Sequence, residues 1–176
     1  MDTTFLILHV TAAAMLVGGM ALLFVAVTPG TQLIKDERLR GAVTRVVGLR
    51  FAWMTIIALV VLVVTGLGQF YSESIVPPNI RENMNDFRWG PVFMVKMTLV
   101  TMLVVMVGVH GMYFGPRIGR ASELVAETTD QEAAQRLAGL RRGSHLFSLA
   151  MLIVGLAVLA LGVTLGNHAF SLVRFD

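Results

Sequence analysis

Four uninterrupted apolar runs, at residues 4–27, 51–70, 91–113 and 146–165, limit what this chain can become more than any other feature of it. Each reaches the roughly 20 residues that a helix needs to cross a ~30 Å hydrocarbon core, and apart from Lys96 the charges keep to the stretches between them. With 56% hydrophobic and 14% charged residues and a mean hydropathy of +0.76, an ordinary soluble surface is excluded. Backbone polar groups find no water in lipid, so a span is a helix or a strand of a closed barrel. Barrel strands are about ten residues long and alternate apolar with polar, which these runs do not. The 176 residues are therefore expected to form one all-α integral membrane domain over 1–176, a four-transmembrane-helix bundle with short helical extensions in the cytoplasm.

Orientation follows from the basic residues, which gather in short cytoplasmic loops. The first loop carries Lys35, Arg38, Arg40, Arg45 and Arg50, and the third carries Arg117, Arg120, Arg136, Arg141 and Arg142. The second has Arg81 and Arg88 against Glu73, Glu82 and Asp86. This places the first and third loops in the cytoplasm and both termini on the outer, periplasmic side of a cell's inner membrane. The first run lacks a basic leader and a small-residue cleavage pattern, so it reads as a retained span. Basic residues beside membrane ends, without interleaved aromatics, match topology and anionic lipid rather than nucleic acid. Cysteine is absent, which removes disulfides, thiolate metal sites and thiol redox chemistry, so any redox activity belongs to a bound cofactor.

Local signals fill in the loops. Thr129-Asp130-Gln131-Glu132 is a capping box that predicts a helix through Ala133, Leu137 and Leu140 into the fourth span. Leu33, Leu39, Val43, Val46 and Val47 among the charges of the first loop predict a short interfacial helix on the inner surface. The outer loop, with Pro77-Pro78, reads as irregular and Trp89 as an interfacial anchor. Glycines at 18, 19, 66, 68, 108, 111, 155 and 162 predict close helix approach, or room for a flat cofactor.

Polar, metal-capable side chains at the ends of apolar runs are the candidate site. His9 and Lys96 each lie about five residues inside the outer ends of their runs, hence about 7 Å deep at 1.5 Å per residue, and His168 closes the fourth run on the same side. His110 and His145 lie near the cytoplasmic ends of runs three and four and make a second level. Lys96 and His110 are fourteen residues apart, about 320° at 100° per residue, so one stripe of the third helix serves both levels. Imidazole is a haem axial ligand and a common metal ligand, and bundle haem sites are built from side chains on facing helices. Met94, Met97, Met102, Met106 and Met112 offer a copper chemistry with the histidines, or else plain apolar filler.

The segments LHVTAAAMLVGGM (8–20), LRFAWMTIIALVVLVVTG (49–66) and VKMTLVTMLVVMVGVHGMYFGPR (95–117) resemble the CopD-type copper-resistance membrane domain and its relative, the HemJ-type protoporphyrinogen oxidase. The resemblance covers about two-thirds of the chain and is anchored by His9, Gly19, Arg50, Phe51, Gly66, Lys96 and His110. It implies a haem b bundle in which His9 and Lys96 correspond to the family's first-span histidine and third-span lysine, or, on the CopD side, copper handling. The resulting expectation is a membrane protein binding one or two haem b groups and taking part in electron transfer or oxidoreduction. His9 with Lys96 or His168 would surround an outer iron, and His110 with His145 an inner one. The alternatives are copper transport or tolerance, and a non-catalytic membrane subunit. Expected partners are the lipid bilayer, a redox protein or quinone, and a second copy of the chain or a larger complex.

Overall fold

The computed structural model describes residues 2–128 and 130–175, with side chains from residue 3 onward. Helix α1 (Asp2–Leu22) passes through a π-helical turn (Leu23–Val27) into the short α2 (Thr28–Gln32). Helix α3 (Glu37–Tyr71) is one unbroken run of 35 residues. Beyond α4 (Pro78–Glu82) and a 3-10 turn (Met84–Asp86), α5 (Trp89–Val109) passes through a second π-helical turn (His110–Phe114) into α6 (Gly115–Glu127). Helix α7 (Gln131–Gly166) returns, and α8 (His168–Ser171) follows it. Four of these continuous helical stretches are long and apolar enough to cross a membrane.

The two longest helices start on aspartate caps. Asp36 accepts hydrogen bonds from the backbone N–H groups of Arg38 (2.9 Å) and Leu39 (3.3 Å), and Asp130 accepts one from Glu132 (2.9 Å), which satisfies donors that a helix start leaves open. The α7 cap is thus Asp130; Thr129, the cap expected from the sequence, lies outside the described residues. The expected interfacial helix is also corrected. No proline interrupts residues 37–50, so they continue α3 straight out of the membrane, where Gly41 packs on Ser122 of α6. At 1.5 Å per residue α3 is about 50 Å long, about 20 Å more than the hydrocarbon requires.

Both π-helical turns stand just before a proline. A proline ring clashes with the carbonyl four residues back, and a wider turn removes the clash. Thr28, before Pro29, directs its backbone N–H to the Leu23 carbonyl five residues back and its hydroxyl to the same oxygen (2.8 Å). Gly115, before Pro116, bonds the His110 carbonyl in the same way. The apolar runs therefore carry on as helix through both prolines.

Helix α1 lies against α3 and α7, α5 lies against α7, and beyond the apolar runs α6 bridges α3 and α7. The core joins Ala12, Leu16 and Met20 of α1 to Ala58, Leu103 and Met151. Close approach depends on missing side chains: a Cβ at Gly19 would stand 2.8 Å from both Phe51 and Met54, and one at Gly155 would stand 2.8 Å from Met20. Ile56, Ile57, Val60, Val63 and Val64 point outward, as lipid-facing residues do, and so do Met94, Met97, Met102 and Met112.

At the other end the connection between α3 and α5 folds into a cap instead of an irregular loop. Val76, Ile80, Trp89 and Leu165 are buried together, and Trp89 stacks on Phe93 at 4.6 Å. Gly90 permits this, because a Cβ there would run into the Met84 carbonyl. The C-terminal segment straps the cap: Arg88 N–H donates to the Val173 carbonyl (3.0 Å), Phe175 N–H donates to the Asp86 carbonyl (2.8 Å), and Arg174 pairs with the Asp86 carboxylate (2.8 Å).

Candidate functional site

At the level near the cap, His9 Nδ1 lies 2.9 Å from the Thr65 hydroxyl of α3. Thr65 has one hydroxyl proton and directs it to the Val61 carbonyl at 2.5 Å. The His9 ring and the Thr65 hydroxyl are thus joined between α1 and α3, and neutral imidazole is the form that binds metals. The ring lies over Gly66, where a Cβ would stand 3.4 Å from Cε1. Lys96 reaches across to Gly162 of α7, where a Cβ would stand 3.6 Å from its Nζ, and is close enough to His9 to act on it electrostatically. No carboxylate pairs with Lys96 among the described residues. His9 and Lys96 thus lie within electrostatic range of each other, whereas His168 is exposed at the start of α8, and among the described residues no hydrogen bond or ion pair ties it to either.

The inner pair is not joined. His110 opens the second π-helical turn and stacks on Phe147 of α7 at 6.0 Å, with Phe114 at 5.7 Å. His145 stacks on Phe24 at 4.4 Å. Residues 145 and 147 differ by about 200° around α7, so the two imidazoles lie on different sides of that helix, with no hydrogen bond or ring contact between them.

Beside His110 lies a chamber of about 920 Å³, within the ~300–1,000 Å³ typical of cofactor and small-molecule sites. It opens where the apolar ends of α1, α3 and α5 meet the projecting parts of α3, α6 and α7. Leu16, Phe24, Phe51, Phe114 and Met151 make its walls apolar. Gly48, Gly111 and Gly119 leave space in them, since a Cβ at these positions would meet nothing within 4 Å. Two polar atoms in this lining lack partners: His110 Nδ1, and the hydroxyl of Thr55, a residue only 2% exposed. The other His110 nitrogen makes no hydrogen bond either. Buried polar groups are nearly always satisfied, so these two closed-off atoms stand out in the lining.

The charged end of the chamber is held by Glu37 at the start of α3. Arg141 of α7 pairs with Glu37, the Ser122 hydroxyl of α6 donates to the same carboxylate at 2.7 Å, Arg141 also donates to Ser122 at 3.1 Å, and Arg40 stands 3.5 Å away. Burial pushes the Glu37 carboxyl up, but the hydrogen bonds from Arg141 and Ser122 and the charges of Arg141 and Arg40 outweigh it and hold it below the usual carboxylate range. This cluster fastens three helices at the mouth.

These residues fit a haem. The porphyrin supplies four equatorial ligands, so one imidazole suffices on the protein side, and the small-residue walls suit a flat ring. A bare ion is served less well: no group of three His, Asp or Glu is placed to hold one among the described residues, and the methionines of α5 noted above mostly face outward. The residues that sequence reasoning passed over are Thr55, Thr65, Glu37, Ser122 and Arg141. Two of them were signalled, since Thr55 and Thr65 are hydroxyls inside an otherwise aliphatic run. No family model, no curated protein and no solved structure matches this chain.

Proposed function

We propose that this chain is a membrane haem b protein that takes part in electron transfer or oxidoreduction, with a haem in the inner chamber and His110 as its axial ligand. The observation that carries this reading is the imidazole of His110, which makes no hydrogen bond among the described residues and lines an apolar chamber of about 920 Å³. When bound, haem supplies one-electron exchange in a low-dielectric site. The chain's own residues bind and orient it: His110 offers the ligand, Phe114 and Phe147 fix the imidazole plane, and Thr55 offers a hydroxyl to the same space. His9, with Lys96 beside it, forms a second polar station toward the cap and is the ligand for a second haem in this reading. The basic loops argue for an inner membrane with both termini outside, and for a redox protein or quinone as partner. His145 and His168 are not ligands in this scheme.

The test is purification from haem-sufficient cells, followed by absorption spectroscopy and metal analysis on one sample. A Soret band with iron in proportion to protein, lost or strongly reduced in His110→Ala but kept in His168→Ala, is expected. Stoichiometric copper without a chromophore would favour the CopD-like reading, and neither metal would favour a non-catalytic subunit.

A further inference from the structure

The chamber is shaped as a slot with a charged end. On α3, Arg38, Gly41, Arg45, Gly48, Ala52 and Thr55 recur at three- and four-residue spacing, which puts them on one face, and all of them line the chamber. The facing wall is also small-sided, with Gly111, Gly115, Gly119 and Ser122. Thr55, with its unpartnered buried hydroxyl, lies at the apolar end of the α3 stripe, and the two arginines lie at the other end.

The charges at that end fall into two classes. Arg141 is engaged by Glu37 and Ser122. Arg38, Arg45 and Arg120 line the same space, yet their guanidinium groups make no ion pair or hydrogen bond among the described residues. Glu123 and Glu127 also line it, likewise outside any ion pair, and Glu37 is neutralised by its own partners. Three guanidiniums and two carboxylates outside any ion pair among the described residues therefore line the charged end of an apolar slot, an excess of one positive charge. A guanidinium matches a carboxylate with two parallel hydrogen bonds, so this end is suited to an amphiphile whose carboxylates trail from a flat body.

We propose that Arg38, Arg45 and Arg120 are the residues that would hold the haem propionates at the arginine-bearing end of the slot. This rests on the haem reading above and adds the orientation and the selection of the occupant. The arginines act through the carboxylates and not through the iron, so their contribution separates from that of His110.

The experiment titrates the purified apo-protein in nanodiscs with hemin and with hemin dimethyl ester, following the Soret change that depends on His110. Wild-type protein is expected to bind the ester about tenfold more weakly than hemin, the difference that one or two charge-assisted pairs supply. The triple substitution R38Q/R45Q/R120Q is expected to bring hemin down to the affinity of the ester, and R38K/R45K/R120K to retain most of the preference. The ester comparison on wild-type protein needs no variant and decides the matter even if the triple variants fail to fold. Equal affinity for hemin and ester, with a Soret change that still needs His110, overturns the propionate anchor and leaves the haem reading standing. No His110-dependent change with either ligand overturns both.

Discussion

Hydroxyls and carboxylates set the chemistry of this bundle one residue at a time. Thr65 bonds the Val61 carbonyl of its own helix at 2.5 Å and His9 of a neighbouring helix at 2.9 Å, a junction that no sequence pattern announces. Thr55 makes no such back-bond, and that difference turns it from filler into part of the chamber. Glu37 lies about 20 Å beyond the apolar run of α3, and its carboxyl is held low by the hydrogen bonds and charges of Arg141, Ser122 and Arg40 against the opposing effect of burial. A carboxyl depressed in the folded state adds stability that is fully present above its ordinary value of 4.5 and is lost as pH falls through the lower folded value. The melting temperature of the wild type in detergent should therefore fall more steeply than that of Glu37→Gln as pH drops from about 5 to about 3, with the variant less stable at neutral pH. Parallel melting curves for the two proteins would remove Glu37 as the clasp of α3, α6 and α7.

The helices themselves were largely legible, because twenty apolar residues without charge have few other fates, and all four runs appear as spans. What the sequence hid is where those helices stop. π-helical turns accommodate Pro29 and Pro116, and His110, which lines the chamber, opens the second of them. Residues 37–50 look like an interfacial helix because they are amphipathic; in the fold it is the small-residue side at Gly41 that meets Ser122 of α6, while Leu39, Val46 and Leu49 stay exposed. The glycines illustrate the same limit, since Gly155 receives Met20 while Gly18 meets nothing, although both sit in apolar spans. Gly155→Leu should lower stability by about 1–3 kcal/mol, the usual cost of overpacking, and Gly18→Leu should be near neutral. Melting in a single detergent checks the pair, and equal effects would mean that α1 and α7 do not meet at Gly155.

For the molecule as a whole, the bundle is asymmetric along its axis: a strapped cap at one end, and at the other a clasp of α3, α6 and α7 around an open chamber with most of the arginines. If basic loops mark the cytoplasm, that chamber opens inward and the cap faces out. The chain has no cysteine, so single reporters can be introduced cleanly. Glu73→Cys near the cap should react with an impermeant maleimide on intact cells, and Glu127→Cys should react only after permeabilisation; the reverse pattern would invert the topology. The polar residues of the apolar runs were legible as types, and His9 and Lys96 lie within electrostatic range of each other. The expected pairing of His110 with His145 does not occur, because their rings meet different sides of α7, which the sequence does not reveal. The most direct measurement is the reduced-minus-oxidised difference spectrum of wild-type protein and His110→Ala from haem-sufficient cells. A b-type signal present in the first and lost or strongly reduced in the second is expected. No such signal in the wild type, or one unchanged in His110→Ala, would contradict the inner chamber as the haem site.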